Sequence, residues 1–151
     1  MDLTYSAELF FKESIESHMK YLKNLRSENQ LVCVLLTYNE SSGVHVWHLD
    51  ISDQSPMTAL KPIVYNTKPE YYIVFAEGWS VDSKHLEKPA SELVHGDIEK
   101  MKKRKEVLNI YGKSKDGKYS VSKMFEIKRN KKKLVQDLIE IKGELHSRHL
   151  P

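Results

Sequence analysis

The first stretch of the chain places apolar residues at the spacing of an amphipathic helix. Across residues 3–25 the apolar positions recur near helical spacing, at Leu3, Leu9, Phe10, Ile15, Met19, Leu22 and Leu25. Acidic residues stand early in this stretch and basic residues late, which suits the helix dipole. The pattern predicts an N-terminal helix that covers a sheet or a partner with one face.

Two short apolar runs follow, and the residues between them favour a turn. Residues 31–38 and 44–51 are rich in β-branched and apolar side chains, and the segment from Asn39 to Gly43 separates them. Polar residues and glycine between two such runs are typical of a chain reversal. The segment from residue 31 to residue 51 is therefore expected to form a β-hairpin.

A short second helix is expected after the hairpin. Ser55 followed by Pro56 is typical of a helix start, because proline fits the first turn without losing a hydrogen bond. Residues 57–66 are then predicted to be helical. Pro62 is expected to interrupt or end this helix, since a proline in a helix interior removes one backbone donor.

The strongest strand pattern spans residues 70–81, where apolar side chains occur at both odd and even positions. A strand with two apolar faces is expected to lie in the middle of a sheet and to be covered on both sides. Residues 82–104 then form a long polar connection between strands. Connections of this length are often mobile or functional.

The last third of the chain favours consecutive antiparallel strands. Residues 105–112 and 119–129 have strand patterns, and Asp116 with Gly117 between them is a clear hairpin signal. The segment 131–147 fits either a helix or a further strand. Three lysines in its first turn would oppose the helix dipole, so the strand is favoured slightly.

The order of these elements predicts an α+β fold in a single domain covering residues 1–151. The expected architecture is a mainly antiparallel sheet of about five to six strands. The N-terminal amphipathic helix and the short second helix are expected on one face of that sheet. The regular alternation of strand and helix that builds a doubly wound parallel sheet is not seen.

Composition adds a marked charge asymmetry. Residues 1–100 hold 9 Lys+Arg and 15 Asp+Glu, whereas residues 101–151 hold 15 and 6, so that a net −6 and a net +9 sum to +3. The single cysteine, Cys33, excludes an intramolecular disulfide framework. No apolar run approaches about 18 residues, and the N-terminal residues are acidic, so we expect a cytoplasmic protein without a membrane span.

The excess positive charge is concentrated at the flanks of the last strands. If these strands form a meander, residues 102–105 and 129–133 lie at the same end of the sheet. The expected anion- or nucleic-acid-binding rim then comprises Lys102, Lys103, Arg104, Lys105, Lys128, Arg129, Lys131, Lys132 and Lys133. The alternative explanation is solubility, because lysine-rich turns protect sheet edges.

Weak candidates for acid–base chemistry surround the end of the central strand. Glu77 lies on the apolar face of that strand, where a carboxyl needs a partner or a raised pKa. Arg104 is predicted to pair with it from the rim of the next strand. His95 and Asp97, in the connection, are further catalytic candidates if the connection folds over Glu77.

Other chemical signals are weaker still. His48 and Asp50 share a face of the second strand and are weak metal-ligand candidates, since two ligands make a poor site. Cys33 falls inside a strand and is expected to be an inert core residue. No nucleotide- or cofactor-binding motif occurs, so no cofactor is predicted.

These features together favour binding over catalysis. The leading hypothesis is a small binding or interaction domain that associates with itself or captures an acidic protein. The first alternative is nucleic-acid binding through the basic rim 102–133. The second alternative is an enzyme with a site around Glu77, Arg104 and the 82–100 loop.

Overall fold

The computed structural model describes residues 6–23, 32–52, 54–94, 96–141 and 146–147. The described elements are, in chain order, α1 (Ala7–Lys23), β1 (Cys33–Asn39), β2 (Gly43–His48), α2 (Pro56–Thr67), β3 (Tyr71–Val81), β4 (Lys105–Ser114), β5 (Ser120–Arg129), β6 (Val135–Glu140) and β7 (His146–Ser147). Three short 3₁₀ turns lie between β3 and β4.

The described strands belong to one antiparallel sheet with the order β2-β1-β3-β4-β5-β6, and β7 pairs with the end of β3. The predicted α+β class with a mainly antiparallel sheet is confirmed. Both predicted hairpins form, since β1 pairs with β2 and β4 pairs with β5. The long strand β3 lies in the middle of the order, as its two apolar faces predict.

The two helices cover opposite faces of the sheet. Helix α1 packs on the face that carries Ile73 and Phe75, whereas α2 packs on the face that carries Val74 and Ala76. The prediction that both helices share one face is therefore wrong. The reason lies in β3 itself, because successive strand residues point to opposite faces and apolar residues on both faces need cover.

Helix α1 buries a stripe that differs slightly from the predicted one. The buried positions are Ala7, Phe10, Phe11, Ser14, His18 and Leu22. Leu9, predicted on the apolar face, is 44% exposed. Leu3 and Leu25 lie outside the described residues. Two polar side chains, Ser14 and His18, thus stand in the middle of the helix–sheet contact.

Helix α2 starts as predicted but continues past its proline. The Ser55 hydroxyl accepts the backbone N–H of Thr58 at 3.2 Å, which caps the first turn. The expectation that Pro62 interrupts or ends the helix is wrong, because the helix extends to Thr67. The buried Leu60 and its apolar neighbours pack α2 on the sheet, which offsets the loss of one backbone donor. Neither described helix is long and apolar enough to cross a membrane.

The connection 82–104 is folded against the sheet. It buries Leu93, Ile98 and Met101 in a small cluster with Val81, the last residue of β3. A Lys88–Asp97 ion pair at 2.7 Å joins two parts of the connection. This small third core holds the connection beside the end of the central strand.

The favoured strand in the C-terminal segment is confirmed for Val135–Glu140, which pairs with β5. A turn leads into it, and the Asn130 side-chain oxygen accepts the backbone N–H groups of Lys132 at 2.9 Å and Leu134 at 3.1 Å. The rival helix is excluded for this part of 131–147. Residues 142–145 lie outside the described residues.

Candidate functional site

Two basic segments of the sequence meet at one end of the sheet. Because β4 and β5 are antiparallel neighbours, the start of β4 lies beside the end of β5. Lys105 and Lys128 accordingly contact the same Glu126 carboxylate, at 3.8 and 2.6 Å. Residues 102–105 and 128–133 are therefore neighbours in space, as the meander predicts.

Four of the nine candidate cations are already engaged within the protein. Lys105 and Lys128 form ion pairs with Glu126. Arg129 has a side chain that is 17% exposed and is bound to buried carboxylates. Arg104 lies over the Trp79 ring. Each of these four side chains therefore already has a partner within the protein.

The other five are exposed and form no ion pair with any described residue: Lys102, Lys103, Lys131, Lys132 and Lys133. We call these five residues the lysine rim. The last three sit on the turn that Asn130 organises, and Lys133 adopts a left-handed backbone with φ of 63°. Hydrogen bonds within this turn order the backbone that carries these three lysines.

The connection 82–104 brings acidic groups close to the basic residues at the start of β4. Asp82 lies 3.7 Å from the Lys105 ammonium group. The Glu87 carboxylate accepts the backbone N–H of Lys102 at 2.7 Å. The charge asymmetry of the sequence is therefore partly compensated inside the molecule, between the connection and the basic segments.

A cluster of three charged side chains lies across β3, β4 and β5 on the α1 face. Arg129 donates from Nε to the two Glu106 oxygens at 2.5 and 3.1 Å. Its Nη2 lies 3.6 Å from Glu77 Oε1, and its Nη1 donates to the Lys133 carbonyl at 2.9 Å. One guanidinium thus joins two carboxylates and fixes the turn before β6.

The Glu77 carboxyl of this cluster has a raised pKa. Burial, and secondly the Glu106 carboxylate, raise the pKa of Glu77 to about 7, against the opposing effects of Arg129 and a backbone hydrogen bond with Val32. Such a group exchanges a proton near neutral pH. Its side chain is 6% exposed and that of Glu106 is 13% exposed, so the cluster is a closed ion-pair network.

Arg104 does not pair with Glu77, contrary to the prediction from sequence. Its guanidinium carbon lies 4.5 Å from the centre of the Trp79 ring, and Nη1 donates to the Glu99 carbonyl. The cation beside Glu77 is Arg129. Arg104 precedes the first residue of β4, whereas Arg129 is the last residue of β5, and its guanidinium contacts both Glu106 and Glu77.

Of the two candidates in the connection, the structure describes Asp97, which is engaged away from Glu77. Asp97 pairs with Lys88 at 2.7 Å and accepts the Val94 backbone N–H at 2.8 Å. The hydrogen bond with Lys88 and then that with Val94 hold the pKa of Asp97 below its usual range. Asp97 is thus an ionised, structurally engaged carboxylate. His95 lies outside the described residues.

Of the two weak metal candidates, Asp50 is engaged in a local turn. His48 lies with Val46 on the α1 face of β2, as the strand alternation predicts. The Asp50 carboxylate accepts both the backbone N–H and the hydroxyl of Ser52, at 3.0 and 2.7 Å. Within the described residues, no group of three or more His, Cys, Asp or Glu side chains is arranged to hold a metal ion.

Two buried groups were not identified from the sequence. His18 stacks on Phe75 with ring centres 4.2 Å apart, and burial lowers the pKa of this imidazole to about 4. Its position four residues before Leu22 in the buried stripe is a signal that could have revealed it. Arg129 was assigned to the rim, and nothing in the sequence marks it as the partner of Glu77.

An open groove of about 800 Å³ lies at the opposite end of the sheet, between the start of α1 and the turn after β4. Ser6, Glu70 and Lys115 are among the residues that line it, whereas Glu77 and Arg104 are not. The groove therefore gives no access to the buried carboxylates. Cys33 is also closed off, since burial raises the pKa of its thiol to about 12.

No protein-family model matches this chain, and no match was found among curated proteins or solved structures.

Proposed function

We propose that this protein is a binding domain that captures an acidic protein segment on the lysine rim. The observation that supports the proposal is the group of five exposed lysines, which form no ion pair with any described carboxylate. Two chain segments that are neighbours in the sheet contribute them. A local excess of one charge attracts partners of the opposite charge and speeds their association.

The surroundings of the rim favour an acidic protein over a nucleic acid. Binding of single strands usually relies on exposed aromatic side chains on which bases stack. The Trp79 ring is covered by Arg104. Tyr119 lies at the other end of the sheet, and Tyr111 faces Tyr72 with ring centres 6.2 Å apart.

Helix α1 gives no support to the alternative that its surface binds the rim of a second copy. Its described residues contain three glutamates and three lysines, so this surface carries no acidic excess. We also propose that the protein acts in the cytoplasm, where a single reduced cysteine such as Cys33 is usual.

The experiment is a fluorescence-anisotropy titration of the full chain with a labelled oligoglutamate peptide, at about 50 and about 200 mM salt. We expect binding that weakens with salt. The triple variant Lys131→Gln, Lys132→Gln, Lys133→Gln should weaken it about tenfold, because each exposed ion pair contributes about 0.5 kcal/mol.

The matched control is the triple variant Lys113→Gln, Lys115→Gln, Lys118→Gln at the opposite end of β4. It also lowers the net charge from +3 to 0, so equal losses in both variants would mean that net charge alone attracts the peptide. A labelled oligothymidine in a parallel titration tests the nucleic-acid alternative. Failure to bind oligoglutamate at the lower salt concentration would refute the proposal.

A further inference from the structure

The edge strand β2 presents unpaired backbone groups outward. The Leu49 backbone N–H donates to the Cys33 carbonyl at 2.9 Å. Because hydrogen-bonded and non-hydrogen-bonded pairs alternate along an antiparallel ladder, the residues of β2 that bond to β1 are the odd-numbered ones. The N–H and C=O groups of Val44, Val46 and His48 therefore point away from β1. Among the described residues, β2 has no neighbour on this side.

This edge lacks the usual protection against pairing. Exposed edge strands normally carry lysine, proline or a bulge. The strand Gly43–His48 contains neither a charged Asp, Glu, Lys or Arg residue nor a proline. Val44 and Val46 are 47% and 58% exposed on the α1 face. By contrast, β6 at the other edge carries Asp137 and Glu140, and its register with β5 is broken by an irregularity.

We propose that two copies of this chain form a dimer by antiparallel pairing of their β2 strands. The two-fold axis passes beside Val46, so that each Val46 faces its counterpart and each Val44 faces His48 of the second copy. In this register the outward N–H and C=O groups of Val44, Val46 and His48 all find partners, because the three residues are spaced symmetrically about Val46. It forms about six hydrogen bonds across the interface.

The side chains support pairing of identical strands. At the axis two valines meet, and such cross-strand β-branched pairs are favourable in sheets. Pairing brings no like charges together, since the strand contains no Asp, Glu, Lys or Arg and its only ionisable side chains are two histidines. Strands of six residues form a contact below the roughly 1,000 Å² of a permanent dimer, so we expect a dimer that dissociates on dilution.

Analytical ultracentrifugation of the full chain over a concentration series tests the proposal. We expect the mean mass to rise from 17.6 kDa towards twice this value as concentration increases. Val46→Lys should keep the mass at 17.6 kDa throughout, because two ammonium groups would face each other at the axis. The exposed side chain and outward N–H of Val46 make misfolding of this variant unexpected, and circular dichroism checks it.

A mixture of Val46→Lys with Val46→Glu should recover the doubled mass, because opposite charges then meet at the axis. Ile139→Lys is the matched control, since Ile139 is 45% exposed on the other edge strand and should leave dimerisation unchanged. A wild-type chain that stays monomeric would overturn the proposal. So would a dimer that survives Val46→Lys, or one that is lost with Ile139→Lys. The proposal does not depend on the lysine rim.

Discussion

Glu77 and His18 give the folded protein two opposite dependences on pH. Glu77 has a raised pKa, so between pH 4.5 and about 7 the folded chain keeps a proton that the unfolded chain has released. Its contribution to stability therefore falls as pH rises through this window. His18 has a lowered pKa, so between about pH 4 and pH 6.5 the unfolded chain binds a proton that the folded chain does not. Its contribution rises with pH.

The two contributions are similar in size. For Glu77, the difference between the ordinary pKa of 4.5 and about 7 corresponds to about 3 kcal/mol of unfolding free energy. For His18, the difference between 6.5 and about 4 corresponds to about the same amount with the opposite sign. Wild-type stability should therefore change little between pH 4.5 and 6.5 as far as these two groups determine it.

The test is urea unfolding, followed by circular dichroism, from about pH 4.5 to about pH 8. Glu77→Gln should remove the falling contribution, so that the free energy of unfolding rises by about 3 kcal/mol across the lower part of the range. In His18→Leu the free energy of unfolding should fall as pH rises, because only the contribution of Glu77 is left. In the double variant the free energy of unfolding should change little with pH. Parallel curves for wild type and Glu77→Gln would refute the reasoning, since they would mean that Arg129 cancels the effects of burial and Glu106.

Two further substitutions test local backbone geometry by thermal unfolding. Lys68 ends α2 in the left-handed conformation with φ of 45°, so Lys68→Gly should raise stability by about 0.5–1 kcal/mol, and an unchanged or lower Tm would contradict this. Gly112→Ala should lower stability by about 1–3 kcal/mol, because the added methyl group would lie 3.0 Å from each of three neighbours, Phe11, the Tyr72 carbonyl and Val121. Wild-type stability in Gly112→Ala would mean that these neighbours relax freely.

Much of the sheet could be predicted because its signals are local. The polar segment before Gly43 and the Asp116–Gly117 pair mark turns whose flanking strands do pair. The two apolar faces of β3 also predict its central position. The placement of the helices failed because the side that each helix covers depends on packing between distant segments. Pro62 was misjudged for the same reason, since apolar contacts with the sheet hold α2 through it.

The buried charge cluster shows where sequence reasoning stops. The need of Glu77 for a cation follows from its position on an apolar strand face. The identity of that cation depends on where the side chains at the ends of β4 and β5 reach, because the Arg129 guanidinium contacts both carboxylates and the Arg104 guanidinium lies over Trp79. Two arginines of the same charge are equivalent candidates in a sequence. The contacts of their side chains distinguish them in the fold.

The contacts of the cations also change the interpretation of the charge asymmetry. The sequence predicts nine cations at the rim, but Lys105 and Lys128 are paired with Glu126, Arg129 is bound to Glu106 and Arg104 lies on Trp79. Displacing Lys105, Lys128 and Arg129 would leave carboxylates without a counter-charge, and displacing Arg104 would break its contact with Trp79. These four are therefore less well placed than the lysine rim to bind a partner. The salt dependence of anion binding should accordingly report about five charge contacts at most. A salt dependence that corresponds to nine charge contacts would mean that the ion pairs of the folded chain open on binding.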